Sequence, residues 1–108
     1  MNFEVEVTSS FKKQAKRLAK KYPSVRKELI ELSTSLESSP TQGISIGRGC
    51  YKIRLAIASK GKGKSGGARV ITLVQIIKAK VYLLSVYDKS EMETISDSEL
   101  TDLMELIR

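Results

Sequence analysis

The spacing of hydrophobic and polar residues changes several times along this chain, and each change marks a predicted element. Apolar residues alternate with polar ones over residues 3–7, which predicts a short strand with one apolar face. Apolar residues then recur at helical spacing over residues 11–22, behind a run at residues 8–10 in which any of the hydroxyl side chains can be the N-cap. Pro23 ends this first predicted helix.

A second helix and a strand follow. Apolar positions at helical spacing over residues 25–36 predict a helix that ends before a serine-proline stretch. Because only a short turn separates the two helices, we expect an antiparallel helical hairpin. After a polar linker at residues 41–43, strict alternation over residues 51–58 predicts a strand whose second face carries Lys52 and Arg54.

The remaining elements complete the predicted fold. Apolar runs at residues 70–77 and 81–87 predict two more strands joined by a short turn, so that three consecutive strands form an antiparallel meander. Residues 96–99 have the capping-box sequence Ser-Asp-Ser-Glu, and an amphipathic pattern continues to Ile107. We therefore predict an α+β fold, β-α-α-β-β-β-α, in which helices cover a small sheet in one domain over residues 1–108.

Length and composition fit that prediction. The chain has 108 residues, of which 41% are hydrophobic and 29% charged, enough to bury a modest core. No apolar run approaches the roughly 18 residues that span a bilayer. The N-terminus lacks the basic start and apolar stretch of a signal peptide. We expect a cytoplasmic protein with no membrane partner.

The side chains that the sequence lacks narrow its chemistry. A single cysteine, Cys50, excludes an internal disulfide and is expected to be a small buried apolar group. The absence of histidine argues against a zinc site and against Ser-His-Asp or Cys-His catalysis. We expect no metal and no cofactor. Any proton transfer must then use Asp, Glu, Lys, Arg or Tyr.

Positive charge is concentrated in the middle of the chain. The net charge is +7, and residues 44–89 contain ten basic residues and one acidic residue. Residues 59–69 add lysines and an arginine to a glycine-rich backbone between two predicted strands. We call residues 60–69 the basic loop. Its composition predicts a loop that binds a polyanion, and nucleic acid is the commonest one in solution.

Three stretches resemble a known family. They are the strand CYKIRL at residues 50–55, the loop KGKGKSGGARVI at residues 60–71 and the ending LLSVYDKSE at residues 83–91. In this order they resemble toxins of the bacterial RelE/ParE superfamily, closest to its HigB/RelE branch, and the resemblance covers most of the chain. The loop motif is fairly specific in this setting, whereas the helical hairpin alone is common to many small domains.

The resemblance implies a function and partners. It implies a type II toxin that cleaves messenger RNA on the translating ribosome, a metal-independent endoribonuclease that inhibits protein synthesis and growth. It also implies a cognate antitoxin protein, encoded beside the toxin, that holds it inactive. Operator DNA would be contacted only indirectly, through the antitoxin.

The chemistry of such a cleavage can be assigned to residue types. Without a metal, the ribose 2′-hydroxyl attacks the adjacent phosphate, and the protein must align the attack and stabilise extra phosphoryl charge. Arg69 and Arg54, one strand apart, suit that charge. Crowded lysines disfavour one another's ammonium forms, so Lys60, Lys62 or Lys64 can supply a base; Lys62 is our choice among the three, with Lys60 and Lys64 as RNA ligands.

Residues near the last predicted strand complete the candidate site. Tyr87 can stack on a base or donate a proton. Lys89 resembles the position of a cationic acid or phosphate clamp in the family, and Glu91 is an alternative base or RNA contact. Lys52 is a further RNA contact on the charged strand face. Some relatives carry a functional tyrosine where this chain has Met-Glu-Thr-Ile at residues 92–95, so Tyr87 can be its replacement.

Other readings stay open at this point. The chain can be a gyrase poison of the ParE branch, although that branch generally lacks such a dense cationic loop. It can also be an RNA-binding module that never cuts RNA and binds with steep salt dependence. Each residue has a structural alternative as well: the basic loop as a solvated turn, Arg54 as an exposed strand residue and Tyr87 as a core aromatic.

Overall fold

The computed structural model describes residues 2–61, 63, 66–92 and 94–107. Within them the chain forms three α-helices and five strands, with one short 3-10 helix at Ala58–Lys60. In order, these elements are β1 (Glu4–Val7), α1 (Ser9–Lys21), α2 (Val25–Ser38), β2 (Ile44–Gly47), β3 (Cys50–Leu55), β4 (Ala68–Gln75), β5 (Lys80–Asp88) and α3 (Asp97–Glu105).

The strands form one mixed sheet in the order β1-β5-β4-β3-β2. The β2–β3, β3–β4 and β4–β5 pairs are antiparallel, as expected for strands joined by short connections. β1 pairs with β5 in parallel, which the α1–α2 hairpin makes possible because it carries the chain across one face of the sheet. The α+β fold that the sequence predicts is confirmed.

Helices cover both faces of the sheet. On the first face, α1 and α2 pack apolar residues against the sheet; the buried members of this core are Phe11, Leu18, Val25, Leu32, Leu36, Ile53, Ile57, Ala68, Val70, Val74, Val81, Leu83 and Val86. On the second face, α3 covers a smaller core that contains Cys50, Ile71, Leu73, Leu84, Tyr87 and Leu100. Cys50 is fully buried, as its prediction required.

The helix ends agree with the sequence signals. Thr8 is the N-cap of α1, and its hydroxyl accepts a hydrogen bond from the Phe11 N–H at 3.2 Å. At α3, Ser96 and Glu99 form the complete predicted capping box. Arg48, in the β2–β3 turn, then ties α3 to the sheet through a 2.8 Å hydrogen bond to the Thr101 hydroxyl.

The strands differ in several places from the sequence-based expectation. The strand predicted over residues 70–77 lies instead at Ala68–Gln75, and residues 76 and 77 belong to the turn before β5. β2 was not predicted, because four residues of weak alternation are too few to distinguish a strand from a loop. It forms because its last residue, Gly47, and the two that follow, Arg48 and Gly49, all adopt positive φ and reverse the chain tightly enough to pair β2 with β3. The predicted strand over residues 51–58 also ends early, at Leu55, since Ala58–Lys60 turns into the 3-10 helix.

The C-terminal end of the basic loop is held by close backbone packing. The Gly67 carbonyl accepts a hydrogen bond from the Lys89 N–H at 3.1 Å. A Cβ atom added to Gly67 would overlap the carbonyl oxygen of Leu55. The loop therefore rejoins the sheet at a position where only glycine fits. Among the described helices, none is long and apolar enough to cross a membrane.

We expect Gly67→Ala to destabilise the protein by about 1–3 kcal/mol, because the new methyl group has to displace the β3 backbone. Gly63→Ala is the matched control, since its Cβ meets no atom of the described residues within 4 Å. Its effect should stay within about 0.5 kcal/mol. Urea unfolding of both variants measures the difference, and equal stabilities would contradict the close packing at Gly67.

Candidate active site

Three candidate functional residues form a row across neighbouring strands. Arg54 of β3 lies directly opposite Arg69 of β4, and Arg69 lies directly opposite Tyr87 of β5. Opposed residues in antiparallel strands point to the same face, with Cβ atoms about 5 Å apart. The register therefore brings together two guanidinium groups and a phenol that lie up to 33 residues apart in sequence. We call Arg54, Arg69 and Tyr87 the transverse row.

The two arginines differ in their access to solvent. Arg54 is exposed at the end of β3. Arg69 is only 4% exposed, and its Nη1 donates a hydrogen bond to the Ala68 carbonyl at 3.0 Å. A ligand can therefore meet Arg54 directly, whereas Arg69 supplies positive charge from within the sheet, where a low dielectric strengthens its electrostatic effect.

Tyr87 is a buried phenol beside that charge. Its hydroxyl makes no hydrogen bond of normal geometry to the described residues. Burial raises the pKa of Tyr87, with a further increase from the negative charge of Glu99; the Arg69 charge and the nearby Ile95 N–H oppose this only in part. At neutral pH the group is thus a protonated phenol, which can donate a proton or a hydrogen bond and is unsuited to act as a base.

The other predicted residues near the row are placed as follows. Lys52 is half-buried opposite Ile71, two residues before Arg54 and so on the same face of β3. Lys89 is half-buried in the turn after β5. Glu91 is exposed and lines a cavity of about 480 Å³ whose wall also contains Tyr87 and three cations of α1, namely Arg17, Lys20 and Lys21.

The lysines of the basic loop are only partly described. Lys62 and Lys64 lie outside the described residues. Lys60 is described, and its ammonium Nζ donates to Oδ1 of Asp88 at 2.6 Å. This ion pair is buried, with 9% of the Lys60 side chain and none of the Asp88 side chain exposed. Lys60 was expected from the sequence to bind RNA, and in the structure its ammonium group is bound to Asp88 instead.

Asp88 is the residue that sequence reasoning missed. Its Oδ1 also accepts hydrogen bonds from the Ser90 N–H at 2.9 Å and the Ser90 hydroxyl at 2.8 Å. Burial by itself raises the pKa of Asp88, but the hydrogen bonds from Lys60 and Ser90 outweigh it and lower the pKa to about 2. The sequence feature that could have drawn attention to Asp88 is that it is the single acidic residue among residues 44–89.

The 3-10 helix at Ala58–Lys60 contacts Asp88 through Lys60, and it is also bound to the turn between α1 and α2 through Ser59. The Ser59 N–H donates to the Ser24 hydroxyl at 3.0 Å, and the two serine hydroxyls lie 2.8 Å apart. The Ala58 N–H donates to Oε2 of Glu28 at 2.7 Å. These bonds fix the beginning of the basic loop against the helical hairpin.

No group of three or more His, Cys, Asp or Glu side chains within the described part of the chain is arranged to hold a metal ion. The candidate site is cationic and phenolic: it consists of the transverse row, Lys52 beside it and the basic loop at its end. Such a constellation suits an anionic ligand, because arginine offers paired N–H donors that match phosphate oxygens.

A profile of the RelE toxin of the RelE/RelB toxin-antitoxin system matches residues 8–107. The chain belongs to this RelE toxin family. The resemblance inferred from the sequence is thereby confirmed.

Several solved structures share this fold. A doubly mutated form of the Escherichia coli toxin RelE in the free state is similar with a TM-score of 0.65 and 19% identity, covering 100% of each chain. The toxin-antitoxin complex RelBE2 from Mycobacterium tuberculosis gives 0.62 and 17%, over 82% of this chain and 99% of the other. The mutated Escherichia coli RelE bound to an antitoxin RelBc peptide gives 0.61 and 23%, over 90% and 98%.

The depressed pKa of Asp88 predicts a specific acid dependence of stability. Because its folded pKa is about 2, its contribution is fully present above the unfolded pKa near 3.9 and is lost as pH falls through 2. The stability advantage of the wild type over Asp88→Asn should shrink by roughly 2 kcal/mol between pH 5 and pH 2. Urea unfolding across that range measures it, and a constant difference would refute the shift.

The raised pKa of Tyr87 predicts that its phenol ionises at a higher pH than the phenol of an ordinary tyrosine. In an ultraviolet titration, the difference between the wild type and Tyr87→Phe should show a midpoint above the usual value of about 10. Circular dichroism at the same pH values checks that the protein remains folded. A difference midpoint at or below 10 would show that the phenol is not held in its neutral form.

Proposed function

We propose that this RelE-family chain is the toxin of a type II toxin-antitoxin system and acts as a ribosome-dependent endoribonuclease on messenger RNA. The observation that carries the proposal is the transverse row, in which register alone aligns two arginines and a neutral phenol on one face of the sheet. Its functional groups match the needs of metal-independent RNA cleavage.

The proposed reaction is an attack within the RNA strand. The 2′-oxygen forms a bond to the adjacent phosphorus while the bond from phosphorus to the 5′-oxygen of the next nucleotide breaks. A base removes the 2′-hydroxyl proton, and an acid protonates the leaving 5′-oxygen. The products are a 2′,3′-cyclic phosphate and a 5′-hydroxyl, and no water or metal enters the step.

Each member of the row has a proposed role. Arg54 is exposed and binds the scissile phosphate through paired N–H donors. Arg69 stabilises the additional negative charge of the transition state from its buried position. Tyr87, protonated because burial raises its pKa, donates its proton to the leaving oxygen.

The base and further RNA contacts are assigned to lysines. Lys62 is the proposed proton acceptor and Lys89 the proposed phosphate clamp. Lys52 lies on the same strand face as Arg54 and is a proposed contact to the RNA backbone, and Lys64 is a second proposed RNA contact. Glu91, beside the cations of α1, is a second position from which a proton can be accepted.

The partners follow from the same charges. Translating ribosomes place messenger RNA beside the toxin in the cytoplasm, and the net charge of +7 favours association with that polyanion. We propose that a cognate antitoxin keeps the toxin inactive, since RelE-family relatives are seen in complex with antitoxins. The antitoxin contacts operator DNA, so the toxin's link to DNA is indirect.

Removing the functional group at either end of the row should slow cleavage strongly without unfolding the protein. Arg54→Ala should lower the rate of messenger RNA cleavage on ribosomes by about 10²–10³-fold, and Tyr87→Phe by about 10²–10⁴-fold. Lys78→Ala is the matched control, because this exposed cation lies in the β4–β5 turn at the far end of the sheet. Its rate should stay within about twofold of the wild type.

Mapping of messenger RNA 5′ ends after induced expression separates the readings. Cuts within translated codons that disappear in Arg54→Ala and Tyr87→Phe support the nuclease. A DNA-damage response with intact messenger RNA would instead indicate a gyrase poison. Growth inhibition unchanged by either row variant would contradict the proposed site.

A further inference from the structure

The first lysine of the basic loop, Lys60, is turned inward, and its side chain is almost completely buried. Its ammonium donates to Asp88 at 2.6 Å and lies 5.6 Å from the centre of the Tyr22 ring. With only 9% of the Lys60 side chain exposed, the group has the surroundings of a buried ion pair. An arrangement of this kind is costly to desolvate and has to be well hydrogen-bonded to persist.

We infer that Lys60 and Asp88 are positioning residues, whose ion pair fixes the basic loop relative to the transverse row, and that Lys60 does not bind RNA. This inference rests on the proposed nuclease function, because it concerns the geometry in which that site operates. It also revises the RNA-binding role that the sequence suggested for Lys60.

The end of β5 connects the loop to the row directly. Tyr87 belongs to the row, and Asp88 is the next residue, so their side chains point to opposite faces of the sheet. On the second face the phenol meets Arg69, and on the first face the carboxylate holds Lys60. The Lys89 N–H then bonds to Gly67 at the other end of the loop. Three consecutive residues thus fix the row and both ends of the loop.

The carboxylate is oriented independently of the lysine. Both donors of Ser90, its N–H and its hydroxyl, bind Oδ1 of Asp88 within 2.9 Å. Lys60 therefore docks on an acceptor whose position is already set by the chain around it. Asp88 is the single acidic residue among residues 44–89, a region that contains ten cations.

The loop's first residues are also held from the side of the helical hairpin. Ser59 is bonded to Ser24, and the Ala58 N–H is bonded to Glu28. The Lys60 and Gly61 N–H groups donate within the same short turn, to Ile57 and Ala58. The 3-10 helix is therefore bound on one side by the helical hairpin and on the other by Asp88, and the ion pair is its buried contact.

Loss of either charge should misplace the loop without removing an RNA ligand. A displacement of about 1 Å at a catalytic site can cost on the order of 10²-fold in rate. We expect Lys60→Met and Asp88→Asn each to lower kcat by about 10–100-fold with KM within about threefold of the wild type. The double variant should be no slower than either single variant, because both remove the same contact.

Direct RNA binding by Lys60 predicts different changes in kcat and KM. If Lys60 binds RNA, Lys60→Met raises KM, whereas Asp88→Asn releases the ammonium and leaves kcat unchanged. Asp88→Asn is nearly isosteric and can still accept from Ser90, so it removes mainly the charge. Ser90→Ala is a milder variant for the case in which Asp88→Asn does not fold. It should lower kcat in the same direction.

Hydrogen exchange tests the anchoring without any nuclease assay. The amide protons of Ser59, Lys60 and Gly61 should exchange at least about tenfold faster in Lys60→Met and Asp88→Asn than in the wild type, because the turn opens more often. Lys80→Met is the matched control. Lys80 lies on β5 like Asp88, but at the other end of the strand, where it forms an ion pair with Glu6 of β1 at 3.2 Å. Loss of this ion pair should leave the exchange of the three amides unchanged.

The outcomes distinguish this inference from the proposed function. A wild type that cleaves messenger RNA, with Lys60 and Asp88 variants that keep full kcat, would overturn the positioning role and leave the nuclease intact. If the wild type never cleaves messenger RNA, the proposed nuclease function is contradicted, and so is the effect of Lys60 and Asp88 on catalysis. Unchanged exchange at residues 59–61 in both variants would overturn the anchoring in either case.

Discussion

The antiparallel register of β3, β4 and β5 is the constraint on which the site depends. It places Arg54, Arg69 and Tyr87 at directly opposed positions, and a slip of one residue in either pair would move one of them to the other face. The register is not uniform, because it shifts between Ile71 and Thr72. Gln14 of α1 supports this irregularity by accepting hydrogen bonds from the Val86 N–H and the Ser85 hydroxyl. A helix on one face thus helps to set the alignment of side chains on the other.

Charge has two separate uses in this molecule. One cation of the basic loop, Lys60, forms a buried ion pair with Asp88 within the folded protein. Arg54 stays exposed, while Arg69 lies within the sheet beside a phenol whose pKa is raised. A high positive charge by itself therefore says little about which groups meet a ligand. Their burial and their partners divide them into those that shape the loop and those that are available for chemistry.

The sequence predicted what local patterns encode. Period-2 and helical spacing located α1, α2 and the three central strands, and the hydroxyl and capping-box signals located the starts of α1 and α3. Arg54 and Arg69 were expected to lie one strand apart, and in the structure they are directly opposed. The fold class followed from the same patterns, whereas the family followed from the resemblance of residues 50–55, 60–71 and 83–91 to its members.

Three features lay beyond those patterns for physical reasons. β2 depends on a turn of three residues with positive φ, and a four-residue strand has no clear periodicity of its own. The partnership of Lys60 with Asp88 joins residues 28 positions apart through the tertiary fold. The burial of Arg69 results from packing on the second face of the sheet, which residue type alone would not suggest, since arginine is seldom buried.

The most direct measurement concerns the oxygen that the proposed site is built to activate. Purified protein is added to ribosomes that hold a messenger RNA with a single 2′-deoxy nucleotide at the mapped cleavage position, beside the all-ribose message. Alignment of a 2′-hydroxyl across Arg54, Arg69 and Tyr87 predicts that the ribose message is cut to a 2′,3′-cyclic phosphate, while the deoxy message binds equally and stays intact. Cleavage of the deoxy message at the same position would contradict that mechanism.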